Sequence, residues 1–206
     1  MKQYKAVIFD LDGTLYDNRH LPIQLVLSDP LKAFWMLSER LARKRLMGKE
    51  FESEQDFRRT QYRMIGVKHG STAEQARLWY EKSYMPSMVR IIGEKHPVRP
   101  WVEPFVKQLK ERGMKLAVFS DYAWTREKLA ALGIDQTLFD VIIDSPALGG
   151  LKPCKRSFLT VIEMLGSTPQ DTLMIGDRED TDGAGARAVG MDFFNVKRQK
   201  IENLKI

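Results

Sequence analysis

The sequence predicts an α/β fold, a doubly wound parallel sheet with an all-helical segment inserted after the first strand. Three observations carry that prediction. From about residue 100 onward, short apolar runs alternate with helical patterns, the signature of strands joined by crossover helices. Polar or acidic residues stand at the carboxyl end of one run after another, the edge where open parallel sheets bind ligands. Between the first apolar run and the rest, only helical signals occur.

The elements follow in order. Ala6-Val7-Ile8-Phe9 is wholly apolar and reads as a strand buried on both faces, with Asp10 at its end. Residues 21 to 90 read as three or four helices without strands. Asp29-Pro30 resembles an N-cap followed by proline at the first helical position. Ser53 to Asp56 and Ser71 to Glu74 both begin like capping boxes. Met36, Met47, Met64, Met85 and Met88 read as adaptable core filler. His96-Pro97 and Arg99-Pro100 form a linker. The later strands are 115 to 119, 141 to 143, 172 to 175 and 193 to 196. Between them lie helices 102–112, 125–132, 155–165 and 182–189, each followed by glycine. The sequence therefore assigns residues 1–16 and 98–206 to a core domain and 17–97 to a helical cap.

Charge is unevenly spread. The 206 residues carry a net charge of +6, and residues 15–99 hold 16 basic and 10 acidic side chains. The rest of the chain is balanced. A basic cap suits an anionic partner, although no run of basic residues is long, so a solvated helical surface accounts for it. The segment Leu21–Leu46 is apolar and basic, like a helix lying on a membrane surface. Asp29, Pro30 and Glu39 interrupt it, and it reads instead as ordinary amphipathic helix, with no membrane contact. No apolar stretch is long enough to span a bilayer, and Asp10 and Asp12 interrupt any N-terminal signal-like run. Cys154 is the only cysteine, so no internal disulfide forms. These features point to a cytoplasmic protein.

The strand ends collect one constellation: Asp10 and Asp12; Ser120; Lys152 in Leu151-Lys152-Pro153; and Asp177, Glu179, Asp180 and Asp182. Carboxylates converging on one edge repel one another, and a hard divalent cation such as Mg²⁺ relieves that repulsion. It also screens the approach of an anionic phosphate. Lys152 adds a fixed positive charge, Ser120 a hydroxyl, and the backbone around Asp12 and Gly13 further donors. Together these parts suit phosphoryl transfer.

Asp10-Leu11-Asp12-Gly13-Thr14, Ser120, Lys152 and the Gly176–Asp182 segment occur in the order found in the haloacid dehalogenase-like hydrolase superfamily. The chain resembles that superfamily over residues 5–18 and 98–196. The resemblance implies a Rossmann-like core and a mechanism. Asp10 attacks phosphorus to form an aspartyl-phosphate. Asp12 protonates the leaving oxygen and later activates water. Ser120 and Lys152 hold the phosphoryl group, with Gly13 and Asp121 beside them. Asp10, the backbone carbonyl of Asp12, and Asp177 hold Mg²⁺, and Asp182 acts behind them. Asp180 lies near enough in sequence to compete with Asp182.

Asp12 also separates chemistries, since dehalogenating members lack an acid at that position. An oxygen leaving group follows, and with it hydrolysis of a small-molecule phosphate monoester. Other readings stay open. One is a phosphomutase using the same pair. Another is a phosphonate-cleaving enzyme with a Schiff-base lysine among Lys32, Lys44, Lys49 and Lys68. A third is a nucleic-acid-binding module acting through the basic cap, against which the intact catalytic set argues. Tyr16, Asp17 and Arg99 are hinge candidates.

Overall fold

The structure, a computed structural model, describes residues 3–204 and 206; Met1, Lys2 and Lys205, which fall in the range assigned to the core, lie outside the described residues. Five parallel strands form one sheet: β1 (Ala6–Phe9), β2 (Lys115–Ser120), β3 (Val141–Asp144), β4 (Thr172–Gly176) and β5 (Asp192–Asn195). Their order is β3-β2-β1-β4-β5, so the winding reverses at β1 and opens a crevice at its carboxyl end. Phe9 pairs with Val118 on one side and Ile175 on the other. That register brings Asp10, Ser120 and Asp177 to one edge.

Alternation along the strands builds two cores. Val7, Phe9, Leu116 and Val118 face Val102, Val106 and Leu109 of one flanking helix. Ala6, Ile8, Ala117 and Phe119 face Phe158, Val161 and Ile162 of another. Each large side chain removed from water contributes roughly 1.5–3 kcal/mol. The central strands are therefore apolar on both faces because both faces are covered.

The chain between β1 and β2 is helical: α1 (Leu21–Ser28), α2 (Ala33–Leu46), α3 (Glu54–Val67), α4 (Ala73–Trp79) and α5 (Met85–Lys95). α4 continues into α5 through a π turn, Tyr80–Tyr84, which carries the chain past Pro86 without a break. Then follow α6 (Val102–Glu111), α7 (Thr125–Ala131), α8 (Lys155–Met164) and α9 (Ala184–Ala188).

Some local expectations change. Asp29 makes no side-chain cap; Pro30 opens a 3₁₀ turn, and α2 starts only at Ala33. Ser53 does cap α3, accepting from the Asp56 N–H. The second capping box sits one residue later than the pattern suggests, between Thr72 and Gln75, because a carboxamide at N3 returns a bond to the cap as a carboxylate would. α9 is shorter than expected, since its first turn, Glu179–Gly183, is π-wound.

The helical segment is seated on the core by the packing of α5 on α7, by the crossing of its two connecting strands and by polar contacts. Tyr16 bridges Val98 in antiparallel fashion, and the Arg99 N–H donates to the Leu15 carbonyl at 2.8 Å. The loop after α2 lies along the Gly149–Leu151 loop, with the Phe51 N–H donating to the Gly149 carbonyl at 2.7 Å. Arg43 of α2 stacks 3.6 Å from the Tyr122 ring and bonds its hydroxyl.

Candidate active site

The crevice at β1 holds two carboxylates in different company. Asp10 accepts from Lys152 Nζ through Oδ1 at 2.7 Å and from Thr14 Oγ1 through Oδ2 at 2.7 Å. Lys152 Nζ also donates to Asp182 Oδ1 at 2.6 Å and to the Phe119 carbonyl at 3.2 Å. Asp12 is held from three directions: Tyr16 Oη at 2.6 Å, Ser120 Oγ at 2.8 Å and Lys128 Nζ at 2.6 Å. All these groups are buried. Removing one partner of such a pair leaves a charge stranded, at about 3–5 kcal/mol.

The protonation balance differs accordingly. Burial pushes the Asp10 carboxyl up; Lys152 pulls it back, but Asp182, Asp177 and Asp12 push it up again, and the net direction is upward. Burial also pushes Asp12 up, yet there the Lys128 ammonium and the bonds from Lys128, Tyr16 and Ser120 prevail, and its pKa is lowered. Burial lowers the Lys152 ammonium, while Asp10 and Asp182 raise it beyond any physiological titration.

Asp10, Asp177 and Asp182 each bring one oxygen within 4.8 Å of the others. Asp177 Oδ1 is buried without a hydrogen-bond donor, and the Lys197 ammonium sits on Oδ2. Crowded hard oxygens and one orphaned carboxylate oxygen fit a divalent cation of the Mg²⁺ type. Gly13 turns beside them with φ +103°, and a Cβ there would come 2.4 Å from Asp177 Oδ2. Only glycine meets both demands. Arg99 steadies this turn by donating to the Gly13 carbonyl at 3.1 Å.

Asp10, Asp12, Gly13, Ser120, Lys152, Asp177 and Asp182 thus converge. Asp182 is a full member of the carboxylate trio, and its Oδ2 accepts from the Arg178 N–H at 3.1 Å. Asp180 turns outward to Arg178, and Glu179 to Arg187. Asp121 lies one residue beyond Ser120, but its carboxylate accepts from Ser145 Oγ at 2.6 Å and from the Lys152 N–H at 2.9 Å. It fastens the loop that presents Lys152, so any phosphate contact from Asp121 falls to its backbone N–H.

Thr14, Tyr16, Lys128 and Lys197 join the site without having been singled out for it from the sequence. Lys128 had a readable signal. Thr125, Leu129 and Leu132 mark the inward face of α7, and Lys128 falls on that face beside them. A lysine there needs a buried anion.

Comparison with known proteins agrees with this geometry. A model described as haloacid dehalogenase-like hydrolase matches residues 4–190. A glyceraldehyde 3-phosphate phosphatase of Methanopyrus kandleri is 37% identical over 108 residues, 52% of this chain and 46% of that protein. The matched part thus spans under half the length of that relative. A second glyceraldehyde 3-phosphate phosphatase, from Methanocaldococcus jannaschii, is 25% identical over 98% of this chain and 88% of its own length. Among solved structures, a HAD phosphatase from Thermococcus onnurineus superposes with a TM-score of 0.62 at 27% identity, covering 92% of this chain and 84% of that one.

Proposed function

The chain belongs to the haloacid dehalogenase-like hydrolase family, and on that premise we propose that it is a Mg²⁺-dependent phosphatase of small phosphate monoesters, working through an aspartyl-phosphate on Asp10. The carrying observation is the unequal pairing of two neighbouring carboxylates: Asp10 with Lys152 and the acidic trio, Asp12 with Lys128, Ser120 and Tyr16. Two carboxyls in separate electrostatic settings can take separate roles.

In this reading Asp10 attacks the phosphorus as the carboxylate, the form that Lys152 favours against burial and that a bound Mg²⁺ would favour further, and Thr14 and Lys152 fix the direction of its lone pairs. Ser120 and Lys152 hold the phosphoryl oxygens. Asp12, a carboxylate while Lys128 is bonded to it, takes up the proton that a monoanionic phosphate ester brings, passes it to the departing oxygen, and then takes one from the water that hydrolyses the acyl phosphate. Lys128 and Tyr16 keep Asp12 aimed between those two positions. Asp10, Asp177 and the Asp12 carbonyl would hold Mg²⁺, with Asp182 behind them, and the ion would supply charge neutralisation for the incoming phosphate. Residues 17–97 act as a cap. With Asp10 and Asp12 both under 10% exposed, substrate enters when the contacts at Arg43–Tyr122 and Phe51–Gly149 part.

The test is phosphate release from a panel of phosphorylated metabolites and a generic aryl phosphate, with Mg²⁺ and with chelator. Release that needs Mg²⁺ is expected. Turnover that requires a bisphosphate primer and frees little phosphate would contradict hydrolysis.

A further inference from the structure

The α1–α2 unit has two apolar faces, and only one is used. Leu21, Leu25, Ala42 and Leu46 point inward and are buried. Ile23, Leu27, Leu31, Phe34, Leu37 and Leu41 point outward, with Leu31 91% and Phe34 75% exposed. Phe34, Leu37 and Leu41 recur at three- and four-residue steps along α2, Ile23 and Leu27 do so along α1, and Leu31 lies in the 3₁₀ turn between them.

Glu39 had seemed to interrupt this segment. In the fold it points inward, fully buried, and pairs with Arg43 at 2.8 Å. It therefore leaves α2 without an exposed acid. Asp29 and Pro30 only divide the stripe between two helices. Arg40, Lys44 and Arg45 flank the stripe on α2 and are exposed; among the described residues none of them has an ion-pair partner. Beside the stripe, between α2 and α3, lies a groove of about 240 Å³ with Leu41, Met64 and Val67 on its wall and Arg45, Arg63 and Lys68 at its rim.

We propose that this face docks on an anionic lipid bilayer, with the leucines and Phe34 entering the headgroup boundary and the basic side chains reaching the lipid phosphates. Apolar side chains ringed by long cations meet both layers of such a surface. Charge decides against a second copy as the occupant. A two-fold contact pairs this face with itself, and α2 offers its exposed Arg40, Lys44 and Arg45 no exposed acid, its one acid being the buried Glu39, so like charges gathered there repel. The cap of a phosphatase would then be held at the membrane while its catalytic edge stayed in water.

Vesicle co-sedimentation of the full chain tests this, using phosphatidylcholine vesicles with and without phosphatidylglycerol. Binding is expected only with phosphatidylglycerol and should weaken as salt rises. The L31D/F34D double variant should bind at least ~10²-fold more weakly. The R40Q/K44Q/R45Q variant should lose roughly 10²-fold. All these positions are exposed, so the thermal unfolding midpoint should stay at the parent value. Equal binding to neutral and anionic vesicles, no binding at all, or binding untouched by L31D/F34D would overturn the proposal. So would a dimer in light scattering that L31D/F34D abolishes, because a second copy would then cover the face.

Discussion

The sheet edge and the outward face of α1–α2 treat charge in opposite ways. At the edge, Asp10, Asp12, Lys128 and Lys152 are buried and each is bonded to an opposite charge at under 3 Å. On the outward face, Arg40, Lys44 and Arg45 stand in water beside bare leucines. Buried, paired charges hold fixed positions and suit chemistry, which needs geometry kept within fractions of an ångström. Exposed, unpaired charges beside apolar surface suit association, which needs area and sign. One chain thus carries a site built for a small anion and a surface built for an extended one.

The sharpest way to break the contrast is at Asp10. Asp10→Asn should lower aryl phosphate hydrolysis by at least ~10⁴-fold, with vesicle binding unchanged. Asp177→Asn comes next, at roughly 10²–10³-fold in kcat/KM, with weaker Mg²⁺ binding by calorimetry. Lys128→Met should cost roughly 10–10²-fold and move the pH profile in a fixed direction. Lys128 is the main force holding Asp12 low against burial. Without it the Asp12 pKa rises, and the limb of the pH–rate curve that Asp12 controls shifts toward higher pH. An unshifted limb would show that Asp12 is not tuned by Lys128.

The smallest expected effect lies away from both regions, at Asp140. Burial raises its carboxyl, but the Leu116 N–H, Lys110 and Lys115 together bring it down to about 2. A folded pKa below the unfolded one means stability that is present at neutral pH and lost as pH falls from about 4 toward 2. Asp140→Asn should therefore cost about 1–2 kcal/mol at pH 7 in denaturant unfolding, with the difference closing in acid.

Most of the edge was legible because its rules are local. An apolar tetrad ending in Asp10 must be a covered strand, and each later strand ends in its own polar residue. What stayed hidden depends on where side chains point in three dimensions. Lys128 falls on the inward face of α7 in sequence, but which anion it meets shows only once α7 is turned toward Asp12. Asp121 reads as a site residue, yet its carboxylate is spent on the lysine loop. Glu39 reads as a break in an apolar segment, although the fold tucks it inward. The exposed apolar residues went unread for that reason: an inward and an outward apolar face on a helix look like one broad face in sequence.

The central claim is the covalent role of Asp10, and rapid acid quench with phosphorus-labelled substrate tests it most directly. Label is expected on the peptide containing Asp10, appearing and decaying at rates that match turnover, and absent from Asp10→Asn. Label on another residue, or an Asp10→Asn variant that turns over like the parent, would contradict it.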